Sequence, residues 1–93
     1  MSFVYVMECG GYYKIGLSAT PRVRCSSIQV GNPFPVTLIG VAEGSDYVEA
    51  EWHAVFRAKR VRGEWYALTD EDVSRILHES YGIDRIPEDD EIA

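Results

Sequence analysis

Hydrophobic residues are concentrated in two short segments at the start of the chain. Residues 3–8 and 12–17 are rich in Val, Ile, Tyr and Phe, and Gly10-Gly11 lies between them. β-Branched and aromatic residues in runs of this length are typical of strands, and two glycines between two such runs favour a two-residue turn. The chain is therefore predicted to begin with a β-hairpin.

The position of the turn sets which side chains share a face of this hairpin. It pairs Tyr5 with Gly16 and Met7 with Lys14, and because side chains alternate across a strand, these four residues lie on one face. This face brings a phenol and an amine close together, and Gly16 leaves open space opposite Tyr5. The alternative is a solvent-exposed face with a surface Lys and Tyr. The other face is predicted to be core and contains Val4, Val6, Tyr13 and Ile15.

A helix and a third strand are predicted next. Thr20 can cap a helix whose first turn contains Pro21 and which runs to about Gln29, and Gly31 fits the position after its end. Residues 36–42 are again rich in β-branched and other apolar side chains, which is typical of a strand.

Two further helices are predicted in the second half of the chain. Gly44-Ser45-Asp46 opens a helix that ends near Lys59, because apolar residues recur there at helical spacing. Residues 63–66 are predicted to be a loop or a short extended piece, and Thr69 begins a last helix that Gly82 ends. The order β-β-α-β-α-α predicts an α+β fold, with a small three-stranded antiparallel sheet flanked by three helices.

The length and the charge distribution indicate one domain followed by an acidic tail. Its 93 residues suffice for one domain, which we expect over residues 1–86. The net charge is −6, but residues 88–91 carry −4 of it, so residues 87–93 are predicted to be a flexible acidic tail. The body is then close to neutral, and the overall charge does not exclude a nucleic-acid partner.

Four basic residues form a cluster near the predicted end of the second helix. Cations are favoured at a helix C-terminus by the dipole, and a local basic patch is also suited to binding phosphates. Both interpretations stay open for these candidate substrate-binding residues, Arg57, Lys59, Arg60 and Arg62.

Several classes of protein are not indicated by the sequence. Cys9 and Cys25 give no disulfide framework, and neither lies at metal-ligand spacing with His53 or His78. The start of the chain lacks a basic region followed by an apolar one, and no apolar run reaches membrane-spanning length. We therefore expect a cytoplasmic protein with no membrane partner.

The first predicted helix carries an arginine on its apolar side. Arg24 falls on one stripe with Pro21, Cys25 and Ile28 at helical spacing. The dipole disfavours a cation near a helix N-terminus, whereas free backbone N–H groups beside a guanidinium are suited to an anion. Arg24 is therefore a candidate anion-binding residue. The alternative is an arginine whose aliphatic part covers the edge of the core.

Glu49 and His53 are four residues apart and share one face of the second predicted helix. That face also contains Trp52 and Phe56, so it does not simply face solvent. Glu49 could form a capping box with Asp46, and His53 could be a partly buried core residue. Alternatively, Glu49 could anchor Mg²⁺ if a phosphate and water complete its coordination.

Seven short motifs occur in order between residues 3 and 68. They are Val4-Tyr5-Val6, Lys14-Ile15-Gly16, Ser18, Arg24, Gly31-Asn32-Pro33, Glu49 with His53, and Gly63-Glu64-Trp65. Together they resemble the motifs of GIY-YIG nucleases, and most closely the branch found in phage open reading frames and in the meiotically up-regulated gene 113 family. Each motif alone is weak, but seven in order at plausible spacing make the resemblance specific.

The resemblance implies a metal-dependent endonuclease that hydrolyses phosphodiester bonds in nucleic acid, with DNA favoured over RNA and one Mg²⁺ or Mn²⁺ per active site. Tyr5 would activate or orient the attacking water, and Lys14 would polarise that water or the phosphate. Arg24 would bind the scissile phosphate. Glu49 would anchor the metal, and His53 would support the leaving group or the metal shell.

The chain differs from the family pattern at three positions. Phe3 replaces the first glycine of the family motif, Lys14 replaces a tyrosine, and Ile28 stands where some members have a histidine. Ser18 keeps its place among the motifs and is an implied substrate-binding residue. The residue that accepts the proton stays open, with three candidates: Tyr5, Lys14 and His53.

Two other functions also stay open. The low positive charge favours a non-catalytic module that binds nucleic acid or protein on the same fold, whereas the presence of both Glu49 and Arg24 speaks against it. A third alternative is a phage or mobile-element accessory protein that binds a host factor through the acidic tail. One active site cuts one strand, so cleavage of a duplex would need a homodimer or two encounters.

Overall fold

The first two strands form the hairpin that the sequence predicts. In the computed structural model, which describes residues 2–79, β1 is Phe3–Cys9 and β2 is Tyr12–Ser18. Gly10 and Gly11 have φ values of 60° and 89°, which side chains with a Cβ rarely adopt. The register pairs Tyr5 with Gly16 and Met7 with Lys14, so the predicted parity of the hairpin is confirmed.

The sheet has five strands, so the prediction of three is wrong. β3 (Thr37–Glu43) pairs with the outer side of β1, while β4 (Arg60–Arg62) and β5 (Trp65–Tyr66) extend the sheet beyond β2. All pairs are antiparallel, in the order β3-β1-β2-β5-β4. β4 and β5 have three and two residues, which is too short for an alternating pattern to be recognised in the sequence. Gly63 turns the chain between them at a φ of 56°.

The first helix, α1 (Pro21–Val30), begins and ends where the sequence predicts, and Thr20 occupies its N-cap position. The side chain of Thr20 makes no capping hydrogen bond. Instead, the backbone N–H of Thr20 donates to the Ser18 hydroxyl at 3.0 Å, and this bond holds the turn from β2 into the helix.

The second helix, α2 (Asp46–Val55), ends earlier than predicted. A short 3-10 helix (Arg57–Lys59) follows it and leads directly into β4, so the predicted end near Lys59 is wrong. Ser45 caps α2 by accepting a hydrogen bond from the backbone N–H of Val48 at 3.4 Å. Ser45 therefore caps the helix, and a capping box of Asp46 with Glu49 is not required for the start of α2.

The third helix, α3 (Asp70–Glu79), begins after Thr69 as predicted. The Thr69 hydroxyl accepts from the N–H of Asp72 at 3.1 Å, and the Asp72 carboxylate accepts from the N–H of Thr69 at 3.0 Å. Lys59 donates to the same carboxylate and so ties the start of α3 to the end of the 3-10 helix. The predicted helix end at Gly82 lies outside the described residues.

Apolar side chains cover both faces of the sheet. One face packs against α2 and α3 through buried residues that include Val4, Val6, Ile15, Trp52, Phe56, Tyr66, Val73 and Ile76. The opposite face packs beneath α1 and contains Phe3, Tyr5, Met7, Val36 and Val41. The face that carries Tyr5 is therefore a second core, and the alternative of a solvent-exposed face is wrong.

The predicted domain boundary at residue 86 and the acidic tail at residues 87–93 lie outside the described residues. Within residues 2–79, every helix is too short or too polar to cross a bilayer.

Candidate active site

The edge of β2 beyond Lys14 is closed by side chains and by a loop. β5 pairs with β2 only at Tyr13 and Lys14, so the edge strand ends there. The N–H of Ile15 donates to the Glu64 carbonyl oxygen at 3.1 Å, and the His53 ring nitrogen Nε2 lies 2.9 Å from the Ile15 carbonyl oxygen. These contacts bring α2 and the β4–β5 turn together beside Gly16.

His53 is held in one orientation by this contact. A carbonyl oxygen can only accept, so Nε2 carries the hydrogen and a neutral ring has its free lone pair on Nδ1. The ring also lies 5.6 Å from the Tyr66 ring, measured between centroids. His53 therefore has one nitrogen bonded to the backbone and a second that can bind a proton or a metal ion.

The phenol of Tyr5 lies directly over Gly16. A Cβ at position 16 would come within 2.9 Å of Tyr5 Cε1 and still closer to Cζ and the hydroxyl, so only glycine leaves room for this ring. The ring is fully buried, and its hydroxyl has no hydrogen-bond partner among the described residues. Buried polar groups in folded proteins are nearly always paired, so an unpaired one at the sheet edge needs an explanation.

Charged residues around Tyr5 shift the pKa of its phenol. Burial raises the pKa of Tyr5 above its ordinary value of 10.0, the carboxylates of Glu64 and Glu49 raise the pKa further, and the Arg24 guanidinium lowers it. Tyr5 is therefore protonated at neutral pH. The charges that act on the phenol therefore come from α1, α2 and the β4–β5 turn.

Arg24 lies at the edge of the core beneath α1. Pro21, Cys25 and Ile28 on the same stripe pack toward the sheet, whereas Arg24 itself is exposed. The helix thus presents the guanidinium to solvent on one side and to Tyr5 on the other. A side chain in this position can bind a ligand that arrives from solvent.

Lys14 forms an ion pair that the sequence analysis did not anticipate. Its ammonium donates to the Glu64 carboxylate at 2.9 Å and lies 5.9 Å from the centre of the Trp65 ring. Glu64 entered the sequence analysis only as part of the motif Gly63-Glu64-Trp65. A charged residue directly after a turn glycine was the available signal, but its pairing with a residue fifty positions earlier depends on the tertiary fold.

Glu49 lies beside Glu64 and His53. Burial raises the pKa of Glu49, the negative charge of Glu64 raises it further, and His53 and Lys14 lower it. One ligand atom from each of Glu49, His53 and Glu64 lies within 4.8 Å of the other two. Two carboxylates and an imidazole form a donor set that fits a divalent metal ion.

The predicted basic cluster is divided between two regions. Because α2 ends at Val55, its predicted place at a helix C-terminus is wrong for Arg60 and Arg62, which lie on β4. Lys59 pairs with Asp72, and Arg62 is exposed. The other two residues of the cluster, Arg57 and Arg60, line an open groove of 510 Å³. The groove is also lined by His53, Ala54, Gly63, Glu64 and Tyr66.

Ser18 has a structural contact of its own. The residue is 7% exposed, and its hydroxyl accepts the hydrogen bond from the Thr20 N–H at the turn into α1. The implied role of Ser18 in substrate binding stays a prediction.

Comparison with known proteins assigns the chain to a family. Residues 2–80 match the family model of the T5orf172 domain. No curated protein and no solved structure matches the chain. Because the family model covers most of its length, the chain belongs to the T5orf172 domain family, which is associated with GIY-YIG-like, nuclease-type proteins of phage open reading frames.

Proposed function

We propose that the protein is a metal-dependent endonuclease that hydrolyses phosphodiester bonds, with DNA as the preferred substrate and one Mg²⁺ or Mn²⁺ per active site. Membership of the T5orf172 family supports a nucleic-acid-related function, and Lys14-Ile15-Gly16 supports the branch in which lysine replaces the second motif tyrosine. The observation that carries the proposal is the Tyr5 hydroxyl, buried and unpartnered among the described residues.

The unpaired hydroxyl of Tyr5 is suited to a ligand oxygen. One cation, Arg24, and two carboxylates, Glu49 and Glu64, act electrostatically on the phenol. A water or a phosphate oxygen placed there would satisfy the phenol. Since its raised pKa keeps Tyr5 protonated, Tyr5 would orient the attacking water by a hydrogen bond rather than remove its proton.

Arg24 and Lys14 would bind the negative charge of the substrate. The Arg24 guanidinium approaches from α1, where it can reach a phosphate through two N–H groups. Lys14 lies on the sheet face of Tyr5 and presents a compact positive charge. Both cations would stabilise the additional charge that develops on the phosphate during hydrolysis.

The carboxylate side of the site would hold the ion. Glu49 is the anchor in this proposal, and His53, fixed against Ile15, supports the ion or the leaving group. A bound divalent ion supplies a Lewis acid that stabilises negative charge on the phosphate and the leaving oxygen.

The groove beside His53 would accept the strand that flanks the scissile bond. Arg57 and Arg60 line it together with Glu64. Arg60 is oriented by a hydrogen bond from its Nε to the Gly63 carbonyl oxygen at 2.7 Å. Two guanidinium groups along a groove that begins at the site are suited to successive backbone phosphates.

A non-catalytic nucleic-acid-binding module is the second candidate. The same groove with Arg57 and Arg60 favours it, because phosphate binding requires neither Glu49 nor the Tyr5 hydroxyl. The two functions differ in what they require of Glu49.

Glu49→Gln tests the proposal. We expect metal-dependent cleavage of labelled DNA to fall by at least about 10²-fold, the scale for loss of one group that stabilises the transition state. Ser45 caps α2, and the raised pKa of Glu49 means that its charge does not stabilise the fold, so the melting temperature should stay equal or rise.

Glu51→Gln is the matched control, because Glu51 lies on the same helix and is exposed. It should cleave as the parent does. Unchanged cleavage in Glu49→Gln would refute the metal role of Glu49. A parent protein that binds DNA but cleaves neither DNA nor RNA with Mg²⁺ or Mn²⁺ would establish the binding module instead.

A further inference from the structure

We propose that three side chains, Glu49, His53 and Glu64, hold the metal ion together, that this site prefers Mn²⁺ to Mg²⁺, and that Lys14 competes with the ion for Glu64. The inference takes its location from the proposed function. It makes His53 and Glu64 direct ligands beside the anchor Glu49. It also names the preferred metal, Mn²⁺, and the side chain that competes with the ion, Lys14.

The spacing of the three donors supports a shared ion. Metal–ligand bonds of about 2.1 Å keep any two ligand atoms within about 4.2 Å of each other. The ligand atoms of Glu49, His53 and Glu64 already lie within 4.8 Å of one another, so small side-chain rotations complete the set. All three side chains are partly exposed, and an ion can reach them from solvent.

The second observation is the hydrogen bond that orients His53. Histidines that bind metals almost always donate their other ring N–H to a carboxylate, a backbone carbonyl or water, which fixes the tautomer and the direction of the lone pair. The contact of His53 Nε2 with the Ile15 carbonyl oxygen has this form, and it leaves the lone pair of Nδ1 available to a metal ion. A core histidine also needs a partner for its N–H, so the position of this ring beside two carboxylates is what favours a metal ligand.

The third observation is that a cation already occupies one of the three ligands. The Lys14 ammonium lies 2.9 Å from the Glu64 carboxylate, and its side chain is only 17% exposed. Glu64 lies at the turn between β4 and β5 and is 40% exposed, so it can move away from Lys14 with little rearrangement. A divalent ion between Glu49 and Glu64 would replace Lys14 at Glu64 and leave the ammonium free to contact substrate.

The donor set also selects among ions. Mg²⁺ prefers oxygen ligands and retains several waters, whereas an imidazole nitrogen is a better ligand for transition metals. One imidazole with two carboxylates is therefore expected to bind Mn²⁺ more tightly than Mg²⁺. If Glu49 were the sole ligand, the site would discriminate weakly between the two ions.

Titration of the complete chain with Mn²⁺, without nucleic acid, tests the site directly. Free Mn²⁺ is measured by its electron paramagnetic resonance signal, and Mg²⁺ is measured by competition. We expect Glu49→Gln and Glu64→Gln each to weaken Mn²⁺ binding by at least about 10-fold, the smallest loss typical of disturbing a metal site. Glu51→Gln, the exposed control on α2, should bind Mn²⁺ as the parent does.

Two further variants test the other parts of the proposal. His53→Gln keeps a donor for the Ile15 carbonyl oxygen but removes the imidazole, so it should reduce the preference for Mn²⁺ over Mg²⁺. Lys14→Met should bind Mn²⁺ more tightly than the parent, because the competing ammonium is gone. Weaker Mn²⁺ binding in Lys14→Met would refute the competition. If Glu64→Gln does not fold, Glu64→Asp, which draws the carboxylate back by one methylene, should show the same direction of change.

The outcomes separate this inference from the proposed function. Parent-like Mn²⁺ affinity in a folded Glu64→Gln would overturn the three-ligand site and leave a nuclease anchored by Glu49 intact. Mn²⁺ binding that depends on all three ligands, in a protein that cleaves no nucleic acid, would support the site and refute the nuclease. A parent protein that binds neither ion would overturn the inference.

Discussion

Gly16→Ala should destabilise the protein more than an ordinary glycine-to-alanine change in a strand. The new methyl group would lie 2.9 Å from Tyr5 Cε1 and closer still to Cζ and the hydroxyl, well inside van der Waals contact. The phenol cannot swing aside, because Phe3, Met7 and Val41 fill the same face and are at most 3% exposed. Either the ring or the pairing of β1 with β2 must shift.

The expected cost follows from this overlap. Adding a methyl group to a well-packed core typically costs about 1–3 kcal/mol, and alanine recovers part of this because glycine is the poorer strand residue. For a domain of this size, 1 kcal/mol corresponds to about 4–8 °C in melting temperature. We expect the free energy of unfolding to fall by about 1–2 kcal/mol, and metal-dependent cleavage to fall with it as the Tyr5 hydroxyl is displaced.

Gly40→Ala is the matched control for this substitution. A Cβ at position 40 would also meet a neighbour at 2.9 Å, but that neighbour is the Cδ1 end of Leu77, which can rotate away. Urea unfolding of both variants should therefore show a clear loss for Gly16→Ala and a change below about 1 kcal/mol for Gly40→Ala.

A double-mutant cycle identifies the cause. Tyr5→Leu removes the atoms that the new methyl group would meet, so Gly16→Ala should cost at least about 1 kcal/mol less in that background. An equal cost in both backgrounds would show that the ring is not responsible, and a parent-like Gly16→Ala would refute the close approach itself.

Three further predictions concern single interactions. Tyr5→Phe removes a buried hydroxyl that is unpartnered among the described residues, so urea unfolding should show equal or higher stability. Cleavage should fall by at least about 10²-fold. A variant that is less stable and cleaves fully would contradict both expectations. Asp72→Asn should cost about 0.5 kcal/mol at neutral pH, because the ion pair with the partly exposed Lys59 is lost while an amide oxygen can still accept from Thr69. Because Lys59 lowers the pKa of Asp72 below its ordinary value of 3.8, this stabilisation is complete above pH 3.8 and disappears as the pH falls through the lowered pKa. If the difference in stability between parent and variant persisted in acid, the charge of Asp72 would not be its cause. Replacing both Arg57 and Arg60 by Gln should reduce the slope of log affinity for DNA against log salt concentration by about two units. An unchanged slope would show that DNA does not bind along this groove.

Local patterns in the sequence were sufficient where neighbouring residues decide the structure. The two glycines of the first turn require positive φ, and this requirement alone places Tyr5 against Gly16. Pro21 and Gly31 bound α1 at the predicted positions, although Gly31 has a φ of −90° and does not adopt the left-handed conformation. Thr20 occupies the N-cap position as predicted, but its side chain makes no capping hydrogen bond, and its own N–H donates to the Ser18 hydroxyl.

The prediction of three strands shows where local patterns end. β5 is a strand because β2 offers it an unpaired edge, and β4 is a strand because it pairs with β5; the residues of both carry no periodicity. The early end of α2 has the same origin, since the chain must turn at residues 57–59 to reach that edge. Pairing with a distant strand overrode helical spacing in this segment.

The sequence by itself determined the hairpin register, the residue types of the site and their order along the chain, because each depends on turn geometry or on motif spacing. Only the tertiary structure decided that Glu64 joins Glu49 and His53, that Lys14 pairs with Glu64, and that the Tyr5 hydroxyl is buried without a partner among the described residues. These contacts join residues that are up to fifty positions apart. Their formation depends on how the helices and the short strands pack on the two faces and the free edge of one sheet, and no local pattern specifies that packing.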